Sequence, residues 1–187
     1  MTDLRVIKTI QHIEQAFLEL LSNMPYRAIT VQDILDKALV NRSTFYRHYT
    51  SKQALAEKMV NDFKQNYEML LNQRFNLPQD SNLDEFLLTF IGFIEREKFK
   101  ILALWQIKTD KLHLYDDMYQ MIKHKYIEFA KTHQGVGNLD YQGHAYATFV
   151  LSNLSYTLQQ EKTMSIHEIR RELSSMCNTI QYKHNQP

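Results

Sequence analysis

The sequence predicts an all-α protein of about nine helices. Three observations carry this. Apolar residues recur every three to four positions along most of the chain. Only four glycines and three prolines interrupt it, and Pro187 is terminal. No stretch alternates apolar and polar residues in the way a half-buried strand does.

The elements follow in order. Ile10, Ile13, Phe17, Leu20, Leu21 and Met24 form one stripe that stops at Pro25. Val31, Ile34, Leu35 and Ala38 form a short second one, with Thr30 placed to cap its first turn. A third, very short helix runs from about Arg42 to Tyr49 behind Asn41. Thr50-Ser51 opens a long helix with Leu55, Met59, Phe63, Tyr67 and Leu70 on one face. Asn76 to Ser81, with Pro78, reads as a loop. Leu83, Phe86, Leu87, Phe90 and Ile94 make the next helix, and Ile101 to Ile107 a separate short segment with the only tryptophan. Leu112 to Phe129 is another stripe, and Thr132 to Asn138, with Gly135 and Gly137, a loop. Gly92 and Gly143 count with these as breakers. The last two helices run from about Tyr141 to Glu161 and Ser165 to Lys183. Small residues (Gly143, Ala145, Ala147, Thr148, Ser152, Ser155) enrich the first of them. Ile166, Ile169, Leu173, Met176 or Cys177, and Ile180 give the second the spacing of a two-helix seam, either within one chain or between two.

Composition bounds the function. The 187 residues are 44 % hydrophobic and 23 % charged, which fits a folded globular chain. A chain of this size hides roughly 70 % of its unfolded surface. The net charge is +1, from 22 basic and 21 acidic residues, so whole-chain charge names no partner and a nucleic-acid surface has to be local. Cys177 is the only cysteine, which excludes an internal disulfide framework and a cysteine-based zinc cluster and fits a reducing cytoplasm. Asp3, Glu14 and Glu19 make the N-terminus unlike a signal peptide. The longest uncharged apolar run, Phe86 to Ile94, is about half of a bilayer span, so no membrane partner is expected.

Function concentrates at residues 30 to 52. Two short helices joined by about three residues have the layout of a helix-turn-helix. From Lys37 to Ala56 the bases Lys37, Arg42, Arg47 and Lys52 stand without an intervening acid, with His48 among them. Phe45 and Tyr49 are four apart and share an inward face with Val40. Ser43, Thr44 and Arg47 point the other way. Hydroxyls and a guanidinium without acids suit a major groove, where arginine bonds guanine edges and serine or threonine reaches bases or phosphates. Thr30 and Asn41 sit at helix N-termini, where free amides and the dipole favour phosphate.

Here the sequence resembles the TetR family of transcriptional regulators. Ile29-Thr30-Val31-Gln32-Asp33-Ile34, then Val40-Asn41-Arg42-Ser43-Thr44-Phe45-Tyr46-Arg47-His48-Tyr49, then Ser51-Lys52-Gln53-Ala54-Leu55 carry the resemblance, which covers about residues 5 to 60. It implies a homodimer with a helix-turn-helix DNA-binding head at 1–50 and a ligand-binding and dimerisation body at 51–187, paired through about 141–183. By position, Thr30, Asn41, Arg42, Ser43, Thr44, Tyr46, Arg47, His48 and Lys52 match family positions that contact DNA: Thr30, Tyr46, His48 and Lys52 on phosphates, Arg42, Ser43, Thr44 and Arg47 on bases. Two departures stand out. Leu39 occupies a turn position where the family usually has glycine; it either adopts the left-handed conformation, at a cost on the order of 1 kcal/mol, or reshapes the turn. Ser43 replaces a common glycine.

The implied function is a repressor that binds a palindromic double-stranded operator and is released by a small, largely apolar effector. Mid-body aromatics Tyr67, Phe86, Phe90, Phe93, Trp105 and Tyr119 are the candidates for the ligand wall, with core packing as the alternative. No nucleophile triad, paired carboxylates or glycine-rich phosphate loop is visible, so no enzyme is expected. The histidines lack metal-ligand spacing, and no cofactor is expected. The competing function is a helical adaptor, or a ligand-independent regulator, with altered or lost DNA binding, which Leu39 keeps open.

Overall fold

The computed structural model describes residues 4–77, 83–160 and 164–182. Among them are eight helices and no strand: α1 Leu4–Asn23, α2 Val31–Ala38, α3 Arg42–His48, α4 Lys52–Phe75, α5 Leu83–Leu104, α6 Leu114–Thr132, α7 Leu139–Gln159 and α8 Ile166–Tyr182. The expected loop around Pro78 and the expected ends at Glu161 and Lys183 lie outside the described residues.

Local chemistry sets the boundaries of the first four helices. Thr30 caps α2 in a reciprocal box: its hydroxyl accepts from the Asp33 amide, and the Asp33 carboxylate accepts from the Thr30 amide at 2.7 Å. Asn41 Oδ1 accepts from the Thr44 amide at 2.8 Å and Ser51 Oγ from the Ala54 amide at 3.0 Å, opening α3 and α4. α2 ends on Leu39, which adopts φ 55° and ψ 41°. The Val40 amide then closes back on the Leu35 carbonyl at 3.2 Å, the six-to-one bond of a Schellman turn. The turn therefore takes the left-handed route with leucine in place of glycine.

Leu83–Ile94 and Ile101–Ile107 were expected as separate elements, but one helix runs from Leu83 to Leu104. Between them lies Glu95-Arg96-Glu97-Lys98-Phe99-Lys100, where charge breaks the apolar pattern. Glutamate, lysine and arginine are good helix formers on a solvated face, so the backbone continues. Gly92 and Gly143 do not break helices either; they lie inside α5 and α7. A Cβ on Gly143 would stand 2.9 Å from Ile127 Cγ1. At this glycine α7 packs tightly on α6 of its own chain.

α1 packs on α2 and on α5; α4 packs on α5 and α6; α6 pairs with α7; α7 and α8 lean on α5. A single apolar core threads all of this, from Ile13 and Phe17 through Phe45, Leu55, Phe63 and Tyr67 to Ile122 and Leu158. α4 belongs to both ends of it. Its first turns meet the α1–α3 cluster, and Lys64 Nζ pairs with Asp117 on α6 at 2.9 Å. No helix of the described residues is long and apolar enough to cross a membrane.

Candidate nucleic-acid interface and ligand cavity

α3 is held from behind. Phe45 is fully buried and Tyr49 is 4 % exposed, and their rings meet at 5.7 Å. The Tyr49 hydroxyl donates to Glu14 Oε1 on α1 at 3.0 Å. Burial, reinforced by the Glu14 charge, pushes this phenol well above its ordinary range, so it stays a donor. Glu14 is a support the sequence reading missed. Its only signal was an acid set between Ile13 and Phe17 in an apolar stripe.

The opposite face of α3 is open. Asn41, Arg42, Ser43, Tyr46 and Arg47 are exposed, and Thr44 and His48 are half-buried. Tyr46 stands edge-on to Phe45 at 5.4 Å with 45 % of its surface exposed. Ser43 Oγ donates to Asn41 Oδ1 at 2.8 Å, so its hydroxyl is oriented by the cap. Thr30 Oγ1 likewise donates to Asp33 Oδ2 at 2.7 Å. The amide and hydroxyl of Thr30 hold the Asp33 carboxyl below its usual range.

The four cations of the basic stretch do not play equal parts. Lys37 Nζ pairs with Glu19 on α1 at 2.8 Å. Arg42 Nη2 donates to Gln32 Oε1 on α2 at 3.0 Å, and Gln32 Nε2 in turn donates to Asp36 at 2.8 Å. Lys52 differs from the sequence expectation of an arm that projects to phosphate. Its Nζ is turned inward onto the Tyr26 carbonyl at 2.7 Å and the Ile29 carbonyl at 2.5 Å. Burial lowers its pKa, against the pull of Asp33. Arg47 alone of the four has no ion pair or hydrogen bond among the described residues.

The ligand candidates divide into two groups. Tyr67, Phe86 and Phe90 share the wall of one cavity of about 100 Å³ between α4, α5, α6 and α7. Phe93, Trp105 and Tyr119 are not in its wall. Phe93 packs on Phe63 at 6.1 Å and Trp105 on Tyr115 at 5.1 Å. Tyr119 Oη lies 2.6 Å from His144 Nδ1 on the α6–α7 surface. For these three, core packing or a surface contact is the structural role. The sequence reading missed Arg74 and Tyr146 of the same wall. A second, larger cavity of about 270 Å³ lies between α5, α7 and α8, and of the expected ligand candidates only Phe90 is in its wall.

Comparison with known proteins agrees with this geometry. Residues 14–59 match the family profile described as "Bacterial regulatory proteins, tetR family". The uncharacterized HTH-type transcriptional regulator YxbF of Bacillus subtilis (strain 168) is 39 % identical over 59 residues, 31 % of this chain and 16 % of that protein. The similarly named YvkB of the same organism is 34 % identical over 65 residues, 35 % of this chain and 34 % of that protein. The chain thus aligns with about a third or less of these relatives' lengths. The whole fold is shared more widely. A TetR transcriptional regulator from Streptococcus agalactiae 2603V superposes with a TM-score of 0.61 at 23 % identity, covering 92 % of this chain and 94 % of that one. A TetR/AcrR-type regulator from Aquifex aeolicus VF5 does so with 0.63 at 18 %, covering 90 % and 99 %. A protein described as a γ-butyrolactone receptor, ArpA-like, gives 0.57 at 15 %, covering 96 % and 100 %. At these identities the structures speak for the fold, and the family rests on the match in the head. Residues 14–59, which include α2 and α3, thus carry the segment described for bacterial regulatory proteins of the tetR family, on a fold shared with TetR-type regulators.

Proposed function

We propose that this regulator is a ligand-responsive repressor that binds a palindromic operator as a homodimer in the cytoplasm, without enzymatic activity of its own. The division of labour is a DNA-binding head at residues 1–50 and a ligand-binding and dimerisation body at 51–187. The observation that carries the reading is the outer face of α3: Arg47 uncommitted beside the Ser43 hydroxyl, on a helix anchored by Phe45 and Tyr49. Arg42, Ser43, Thr44 and Arg47 read bases. Tyr46, His48, and the helix starts at Thr30 and Asn41 hold phosphates. In a dimer the two α3 helices enter successive major grooves about 34 Å apart, which makes the operator palindromic.

Dimerisation is supported by what α7 and α8 leave open. Phe149 and Tyr156 on α7 are 46 % and 56 % exposed, and α8 exposes Met176 and Cys177 while packing mainly on α5. An effector in the body acts through α4. The helix that begins behind α3 also carries Tyr67 and Leu70 in the cavity wall, so a change in its tilt alters the separation of the two heads. Such a coupling is typically worth 1–3 kcal/mol. A neighbour of the same fold is described as a γ-butyrolactone receptor, which fits a small-molecule input. The adaptor reading rested on Leu39. The turn closes with leucine in the left-handed conformation, and no other observation favours that reading.

Fluorescence anisotropy with DNA from the promoter beside its own gene tests the proposal. Expected is binding that falls steeply with salt and, by sedimentation, a species of twice the 22.3 kDa chain mass. A monomer at micromolar concentration that ignores this DNA at low salt contradicts it.

A further inference from the structure

The two cavities are neighbours. Leu87, Phe90 and Val150 belong to the walls of both, so about 100 Å³ beside α4 and about 270 Å³ beneath α8 adjoin at these three side chains. Joined by their rotation, the two reach the size of ordinary small-molecule sites, about 300 Å³ and above. The lining is nearly all aliphatic and aromatic. Asn153 and Thr157 are the polar side chains of the larger chamber. In the smaller one two features do not fit a mere packing defect. Tyr67 is fully buried, and its hydroxyl has no hydrogen-bond partner among the described residues. Arg74 is the only charged side chain among the residues lining either chamber, and no carboxylate among the described residues pairs with it.

An orphaned buried hydroxyl is costly and is normally satisfied by protein or water. Burial keeps the Tyr67 phenol protonated, with the neighbouring Tyr146 adding to the effect, so what it lacks is an acceptor. Tyr67 and Arg74 are seven residues apart on one face of α4, about 10 Å along its axis. Both residues line the smaller chamber, and the Arg74 guanidinium lies 5.8 Å from the centre of the neighbouring Phe75 ring. A neutral donor and a cation facing one apolar tract describe a small anion with a long apolar body.

We propose that the effector is an aliphatic monocarboxylic acid, its carboxylate held between the Tyr67 hydroxyl and the Arg74 guanidinium and its tail passing Leu87, Phe90 and Val150 into the chamber beneath α8. This rests on the reading of the cavity as the effector site and adds the chemistry of its occupant. The acid's head touches α4, the helix that leads to α3, while its tail touches α7 and α8.

Decanoate and 1-decanol, matched in tail and differing in charge, are the probes, titrated calorimetrically into the full-length protein at pH 8. Decanoate is expected to bind about tenfold or more tightly than the alcohol, as a charge-assisted contact implies. Arg74→Gln brings the ratio to about one while leaving the alcohol's affinity in place, which also shows that the variant is folded. Tyr67→Phe weakens decanoate several-fold yet raises the melting temperature of the free protein, because an unsatisfied hydroxyl is removed. A purely structural tyrosine would give no such opposition. Equal affinities for acid and alcohol in the parent, an unchanged ratio in Arg74→Gln, or no binding of either probe overturns the carboxylate assignment. Decanoate that binds as expected but leaves operator affinity untouched supports the assignment and overturns the effector reading instead.

Discussion

The ammonium of Lys52 donates to the Tyr26 carbonyl at 2.7 Å and lies 4.3 Å from the centre of the same residue's ring. With its bond to the Ile29 carbonyl, this ties the start of α4 to the loop between α1 and α2. A lysine so placed is a strut of the head. Lys52→Met keeps the aliphatic stem and removes the donor, leaving two carbonyls short of a partner. The expected cost is about 1–3 kcal/mol, a fall in melting temperature of several degrees for a chain of this size. The salt dependence of DNA binding stays as in the parent. Unaltered melting with a shallower salt slope would instead make Lys52 a phosphate contact.

Arg47 is the complementary case. It has no internal partner to lose among the described residues, so Arg47→Ala leaves the unfolding free energy within about 0.5 kcal/mol of the parent, as expected for an exposed side chain. Operator affinity drops by about 1–3 kcal/mol and discrimination against scrambled DNA weakens. Anisotropy against both DNAs measures this. Equal losses on the two would move Arg47 from base reading to phosphate contact.

Much of the head was legible because its signals are local. Thr30, Asn41 and Ser51 announce their helices as caps, and the four-residue spacing of Phe45 and Tyr49 fixes which side of α3 faces in. What the sequence hid is the pairing of charges across helices. Lys37 with Glu19, Arg42 with Gln32, and Lys52 with two carbonyls all join residues ten or more positions apart. Periodicity carries no information about such partners. The cavity was half legible for the same reason. An aromatic stripe marks a buried face, but only packing decides that Tyr67 borders a space while Phe93 fills one.

Leu39 is 92 % exposed with φ at 55°. Its side chain contributes almost no packing, and its Cβ opposes the left-handed backbone. Leu39→Gly relieves that strain and is expected to stabilise the protein by about 1 kcal/mol, less the extra freedom glycine has in the unfolded chain. Thermal melting checks the sign. A lower melting temperature would mean that the leucine makes contacts the monomer does not contain, as in a complex with DNA or a partner.

Asp33 gives the head an acid sensitivity. Its folded pKa is lowered, first by the Thr30 amide and then by the Thr30 hydroxyl. A carboxylate with a lowered pKa stabilises the fold above its unfolded value, about 4, and that contribution is lost as pH falls through the folded value. Melting temperature is therefore expected to fall on acidification from about pH 5 to pH 3. Asp33→Asn, lower at neutral pH, should fall less over the same range. Parallel curves for the two proteins would remove Asp33 as a source of the acid response.

The two glycines inside helices separate propensity from packing. A Cβ on Gly92 meets nothing within 4 Å, whereas one on Gly143 meets Ile127 Cγ1 at 2.9 Å and Lys123 Cγ at 3.2 Å. Gly92→Ala therefore gains the helix preference of alanine without a clash, roughly 0.5–1 kcal/mol of added stability. Gly143→Ala gains the same preference but forces α7 away from α6, and overpacking of this kind costs about 1–3 kcal/mol. Urea unfolding of both variants is expected to move the midpoints in opposite directions. Stabilisation by both would show that Ile127 rotates aside freely and that the α6–α7 contact tolerates a methyl group. A loss from Gly92→Ala would point to a neighbour on the outer face of α5 that the isolated chain lacks.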